Sequence, residues 1–120
     1  MNNLWTSIYV KDMNESVEFY TKILGLSLDK RYTPMPGYEI AFLGKGETKF
    51  ELMCNQNDLD VAFTHYSSTG FQIESVEEML EHLKANNIKI VMEPFSPNPH
   101  LEFFFIEDPN GYRIQLVELK

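Results

Sequence analysis

The chain reads as an α+β protein: two βαβββ repeats whose curved mixed sheets form a cup, with the helices on the outer face. Three observations predict this. Each half carries a helix-start signature, Asp12 with Glu15 and Ser75 with Glu78, followed by apolar residues at helical spacing. Each half surrounds that helix with short β-rich runs. And the halves superpose, Val10 on Ile73, Asp12 on Ser75, Val17 on Leu80, and Phe50-Glu51-Leu52 on Ile114-Gln115-Leu116. The expected domain is single, 1–120, with repeat one over about 4–54 and repeat two over about 68–119.

The first strand is expected over Leu4 to Val10, with Leu4, Thr6, Ile8 and Val10 on one face and Trp5, Ser7 and Tyr9 on the other. Asp12 then starts a helix over 13–24 whose stripe is Met13, Val17, Tyr20 and Leu24, and Gly25 stops it. Leu26 to Arg31 is a second strand. The segment 33–37, with Pro34, Pro36 and Gly37, reads as a loop. Tyr38 to Leu43 and Thr48 to Cys54 are the third and fourth strands. In the fourth, Phe50, Leu52 and Cys54 alternate with Lys49, Glu51 and Met53. Asn55 to Ser68 shows no period and reads as a connector.

The second half repeats the plan. Thr69 to Ile73 is a strand, 76–86 a helix with Val76, Met79, Leu80 and Leu83 as its stripe, and Asn86-Asn87 stands where Gly25 stood. Ile88 to Met92 is a strand, and 94–100 a Pro-rich loop. Two strands follow around the turn Glu107-Asp108-Pro109-Asn110-Gly111, where Asp108 is placed to bond the backbone ahead of it. In the last strand Ile114 and Leu116 alternate with Arg113, Gln115 and Val117.

Composition excludes several classes. Apolar residues at 43% make a folded chain, and a net charge of −8 with no Lys/Arg run argues against nucleic acid and anionic membranes. No signal-like or membrane-length apolar run is present, and the single cysteine, Cys54, cannot form an internal disulfide. A reducing cytoplasm is the expected location. Cys54 lies on the core face, as a packed thiol would. No Ser-His-Asp set or phosphate loop is visible.

The segments Val10-Lys11-Asp12, Ser16-Val17-Glu18-Phe19-Tyr20, Leu24-Gly25 and Glu107-Asp108-Pro109-Asn110-Gly111-Tyr112-Arg113-Ile114-Gln115-Leu116, in this order and within a repeat, resemble the vicinal oxygen chelate superfamily. That superfamily holds glyoxalase I, bleomycin-resistance proteins and dioxygenases, and bacterial glyoxalase I is the member the chain most resembles in look. The resemblance covers the whole chain. It implies a homodimer and a divalent metal held by His or Glu at four positions, which here are Trp5, Glu51, Ser68 and Gln115. Only Glu51 keeps a good ligand. An indole N–H only donates, so Trp5 cannot coordinate. His65, His82 and His100 are weighed as replacements. His82 falls on a solvent face, while His65 and His100 are open as to whether they enter the cup.

The cup face is expected to comprise Trp5, Ser7, Tyr9, Lys49, Glu51, Met53, Ser68, Gly70, Gln72, Arg113, Gln115 and Val117. This aromatic and polar lining suits a small-molecule pocket. Each residue has a plainer reading: Trp5 as a plug packed in the core, and Glu51 as the partner of Lys49 or Arg113. The expected function is metal-free binding or sequestration of a small organic molecule, aromatic or cationic, with no cofactor. The alternative is a glyoxalase-like lyase of the lactoylglutathione type, or another family enzyme with a divalent metal in a reduced site. Glu51 is the candidate general base if a reaction is catalysed.

Overall fold

The computed structural model describes residues 3–46, 48–59 and 68–120. The chain divides into two compact units, Met1–Ala62 and Phe63–Lys120. Each carries one helix-bearing four-stranded mixed sheet, so the two βαβββ-like modules predicted from the repeat are present.

The first unit runs β1 (Trp5–Tyr9), α1 (Met13–Glu18), a π-helical turn (Phe19–Ile23), β2 (Leu28–Met35), β3 (Tyr38–Leu43) and β4 (Lys49–Asn55). Its sheet order is β1-β4-β3-β2, with β1 parallel to β4 and the other pairs antiparallel. Parallel pairing of the first and last strands requires a crossover, which α1 and the two intervening strands supply. The Asp12 carboxylate accepts the Glu15 N–H at 3.0 Å and so caps the orphan donors of α1. The helix then widens. Leu24 N–H bonds the Phe19 carbonyl, five residues back, and the neighbours Phe19 and Tyr20 are both buried. Ser16, Phe19 and Tyr20 all face inward, and the expected stripe of Met13, Val17, Tyr20 and Leu24 omits the first two. The Tyr20 ring stands edge-on to Phe50 at 5.0 Å and to Phe19 at 5.2 Å, fixing the helix over Phe50, Leu52, Cys54, Ala41 and Leu43. Gly25, at φ 75°, ends the helix.

The second unit runs β5 (Ser68–Ile73), α2 (Val76–Ala85), β6 (Ile90–Asn98), β7 (Leu101–Glu107) and β8 (Arg113–Leu119), in sheet order β5-β8-β7-β6. Ser75 caps α2 through Glu78 N–H at 3.1 Å, and Glu118 of β8 accepts the Val76 N–H at 2.7 Å. Asn87 adopts φ 58°, the left-handed role that Gly25 plays in the first unit. Phe104, Ile106, Ile114 and Leu116 are the fully buried floor beneath α2. In the terminal turn Asp108 accepts the backbone N–H groups of Asn110 and Tyr112 at 2.8 and 2.9 Å, as its place in the sequence predicts.

Two expected loops are corrected. β2 continues through Pro34 to Met35, and β6 through Pro94 and Pro97 to Asn98. Both are edge strands, and both shift register around their prolines. A proline lacks the N–H that an inner strand must donate, but an edge strand has a side that needs no donor.

Candidate functional site

Strand alternation separates the two faces of the first sheet. Ile8, Phe50, Leu52 and Cys54 lie on the helix side and are buried. Trp5, Ser7 and Tyr9 of β1, Lys49, Glu51 and Met53 of β4, and Tyr38, Ile40 and Phe42 of β3 share the other face. The register places Ser7 and Phe42 on either side of Glu51.

Glu51 is the one acidic residue in the interior of that face, at 8% exposure. The Ser7 hydroxyl donates to its Oε1 at 2.5 Å. Lys49 does not pair with it, although two residues along one strand share a face. The Lys49 ammonium donates to the Gly44 carbonyl at 2.7 Å and lies 3.8 Å from Asp29. The sequence reading of Glu51 as half of a Lys49 pair is therefore corrected. No cation is paired with Glu51 among the described residues.

Around the carboxylate the face is aromatic. Trp5, 48% exposed, stands edge-on to Phe42 with ring centroids 5.5 Å apart. It is not packed into the core. Tyr9 is 43% exposed. The Tyr38 hydroxyl donates to the Met53 sulfur at 3.5 Å, and burial, Tyr9 and then Glu51 push its pKa up. Tyr38 therefore stays a neutral donor at physiological pH. At the β2 edge Lys30 lies 5.1 Å from the Phe42 ring centre and 6.0 Å from that of Tyr32. Sequence reasoning omitted Tyr38 and Phe42. The alternation of β3 against β4 was the available signal, since Phe42 pairs with Glu51.

In the second unit the corresponding face carries Ser68, Gly70 and Gln72 of β5 with Arg113, Gln115 and Val117 of β8. The Gln115 amide oxygen lies against Gly70, 3.3 Å from where a Cβ would stand, so a side chain at 70 would force it to shift. The Arg113 Nε is buried with no hydrogen-bond partner among the described residues. On the same face Phe95, Phe103 and Phe105 form edge-on pairs with centroids 6.0 Å apart.

The remaining candidates fall elsewhere. His65 lies outside the described residues. His82 is on the exposed side of α2, and His100 sits exposed in the β6–β7 turn, its N–H donated to Asn98. Cys54 is fully buried, as its core-face placement predicts. A crevice of about 310 Å³ by Lys11, Asp12, Arg31, Glu39 and Gln56 lies beside the start of α1. There Arg31 is already held by Glu39 and by the Asn14 amide oxygen at 2.6 Å.

The four positions at which the resemblance implies metal ligands can be tested by their chemistry. Trp5 offers only a donor N–H, Ser68 a hydroxyl, Gln115 a neutral amide oxygen, and Glu51 alone a carboxylate. Among the described residues no three His, Cys, Asp or Glu side chains gather closely enough to hold an ion. This donor set does not fit a divalent transition-metal site, which draws three or four imidazole, thiolate or carboxylate groups together.

Two mixed sheets, each with a helix on one face and an aromatic-polar opposite face, define a vicinal oxygen chelate protein. Residues 4–116 match the model of the Glyoxalase/Bleomycin resistance protein/Dioxygenase superfamily, and the chain belongs to that family. It is similar to the lactoylglutathione lyase of Escherichia coli O157:H7, at 32% identity over all of this chain and 94% of that protein. A probable chloroplastic lactoylglutathione lyase of Arabidopsis thaliana is 33% identical over 91% of this chain, which spans about a third of that protein's length. Among solved structures, the Leishmania major glyoxalase I, described as trypanothione-dependent, superposes with a TM-score of 0.84. It is 28% identical over 98% of this chain and 86% of its own. No helix among the described residues is long and apolar enough to cross a membrane.

Proposed function

We propose that this chain is a small-molecule-binding member of the family that works without the four-position metal, and that its ligand lies on the open face of the first sheet. The observation that carries the reading is Trp5. An indole, half exposed, stands where the family resemblance places a metal-binding side chain, on the same face as the buried Glu51. Aromatic surface around one polar anchor is the ordinary makeup of a small-molecule site. Trp5, Ser7, Tyr9, Lys49, Glu51 and Met53 belong to this reading in the first unit, and Ser68, Arg113 and Gln115 in the second. A homodimer in a reducing cytoplasm is part of the same proposal, and sedimentation of a monodisperse monomer at micromolar concentration would count against the pairing.

The second reading is a lactoylglutathione-lyase-type enzyme with a reduced site. The names of the relatives favour it over binding alone, and so does the retention of Glu51. Glu51 would then serve as the general base, with Ser7 holding its carboxylate in place. Elemental analysis of the purified protein together with a lactoylglutathione assay separates the two. Binding without chemistry predicts substoichiometric nickel and zinc and background turnover. Stoichiometric metal that is lost in Glu51→Gln, or turnover that is lost with it, would establish the lyase reading instead.

A further inference from the structure

Glu51 is more than nine-tenths buried, accepts one serine hydroxyl, and has no cation paired with it among the described residues. Burying a carboxylate in that state is costly, and such a group persists where something else supplies the opposite charge. A divalent metal does not fit the donor set. Lys49, two residues before Glu51 on the same strand and face, is turned to Gly44 and Asp29. What surrounds Glu51 is the electron-rich surface of rings. That surface already accepts a positive charge at its β2 edge, where the Lys30 ammonium sits over Phe42 and Tyr32. Tyr38, its hydroxyl donated to the Met53 sulfur and held neutral, adds a further ring without adding a charge.

We propose that the open face of the first sheet takes a monovalent organic cation, an ammonium or guanidinium on a small molecule, with Glu51 as its countercharge and Trp5, Tyr9 and Tyr38 as flanking rings. This rests on the small-molecule-binding reading above and names its ligand class. Glu51 provides the deep charge, Ser7 fixes the carboxylate, and the exposed rings of Trp5 and Tyr9 cover the cation and exclude water from it. The net charge of −8 favours approach of a cation from solution.

The test uses an isosteric pair, choline and its neutral analogue 3,3-dimethylbutan-1-ol, with benzyltrimethylammonium and benzoate as aromatic probes of opposite charge. Trp5 is the only tryptophan, so its emission reports on the site, and calorimetry gives an independent readout. The expected result is saturable binding of both cations, with choline at least ~10-fold tighter than the neutral alcohol. Glu51→Gln should shrink that ratio to below about 3-fold, and Trp5→Phe, which keeps a ring, should retain cation binding that Trp5→Ala loses. Equal binding of choline and the alcohol, preference for benzoate, or no response to either cation overturns the cation assignment. The wild-type comparison decides the matter even where a variant fails to fold. If the cations fail while a neutral or anionic compound from a broad screen saturates the Trp5 signal, the small-molecule reading stands without the cation. If no compound perturbs the emission, and lyase turnover is found, that reading fails too.

Discussion

Ser7 and Glu51 stand at the same level of the parallel β1–β4 pair, and the serine hydroxyl donates to the glutamate carboxylate. Ser7 is exposed while Glu51 is buried, so the serine anchors a charge lying beneath the open face. The pairing follows from strand topology: β1 lies next to β4 in the sheet order, in the register that sets Ser7 opposite Glu51.

Ser7→Ala removes that donor and leaves the carboxylate in place. The expected loss is about 1–3 kcal/mol of unfolding free energy, the cost of an unsatisfied buried polar group. Urea titration measures it. An unchanged midpoint would mean that water replaces the hydroxyl at no cost and that Glu51 is not effectively buried.

Tyr38 and Cys54 both hold their protons more tightly in the fold than in the unfolded chain. Burial is the main cause for each, reinforced by Tyr9 at Tyr38 and by Glu39 at Cys54. A raised folded pKa contributes stability that is complete below the unfolded value and is lost as pH rises beyond it. Their ordinary values are 10.0 and 9.0, so stability should fall above about pH 9. Cys54→Ala should flatten the lower part of this decline and Tyr38→Phe the upper part. A urea midpoint that does not fall between pH 9 and 10.5 would refute the linkage.

Asp108 gathers three donors in the β7–β8 turn: the N–H groups of Asn110 and Tyr112, and the Asn110 side-chain amide at 3.2 Å. Asp108→Ala should cost about 2 kcal/mol, and Asp108→Asn, which keeps one acceptor oxygen, should cost less. Thermal melts that rank the two variants in the opposite order would assign the turn's stability to Pro109 and Gly111.

The helices, the core floor and the terminal turn were legible in the sequence because local chemistry dictates them. Asp12 and Ser75 cap through their own side chains, Asn87 substitutes for a glycine at positive φ, and Ile114 and Leu116 alternate with polar neighbours. β2 and β6 were cut short because Pro34, Pro94 and Pro97 signal a break to any local reading. Whether a proline ends a strand depends on which strand lies at the sheet edge, and that is a tertiary fact. The candidate site divides in the same way. The face carrying Trp5, Ser7, Tyr9 and Glu51 follows from period-2 alternation alone. The direction of the Lys49 side chain does not, because Gly44 and Asp29 compete for it from other parts of the fold.

Replacing Glu51 itself separates a functional carboxylate from a structural one. If Glu51 is retained for a ligand, the unliganded fold bears its desolvation with only the Ser7 hydroxyl in return. Glu51→Leu removes a buried charge and adds apolar surface beside Phe42, its cross-strand neighbour. The variant should then be more stable than the parent by about 1–2 kcal/mol, as when buried ionic groups give way to apolar ones of similar size. Ser7→Ala, which strands the charge, should move stability the other way, and in the Glu51→Leu background it should cost almost nothing, because the group it served is gone. Urea unfolding of the two single variants and the double variant completes the cycle. A Glu51→Leu protein destabilised by more than about 2 kcal/mol would show that the carboxylate holds the sheet together, and would remove the reason to regard it as kept for a ligand.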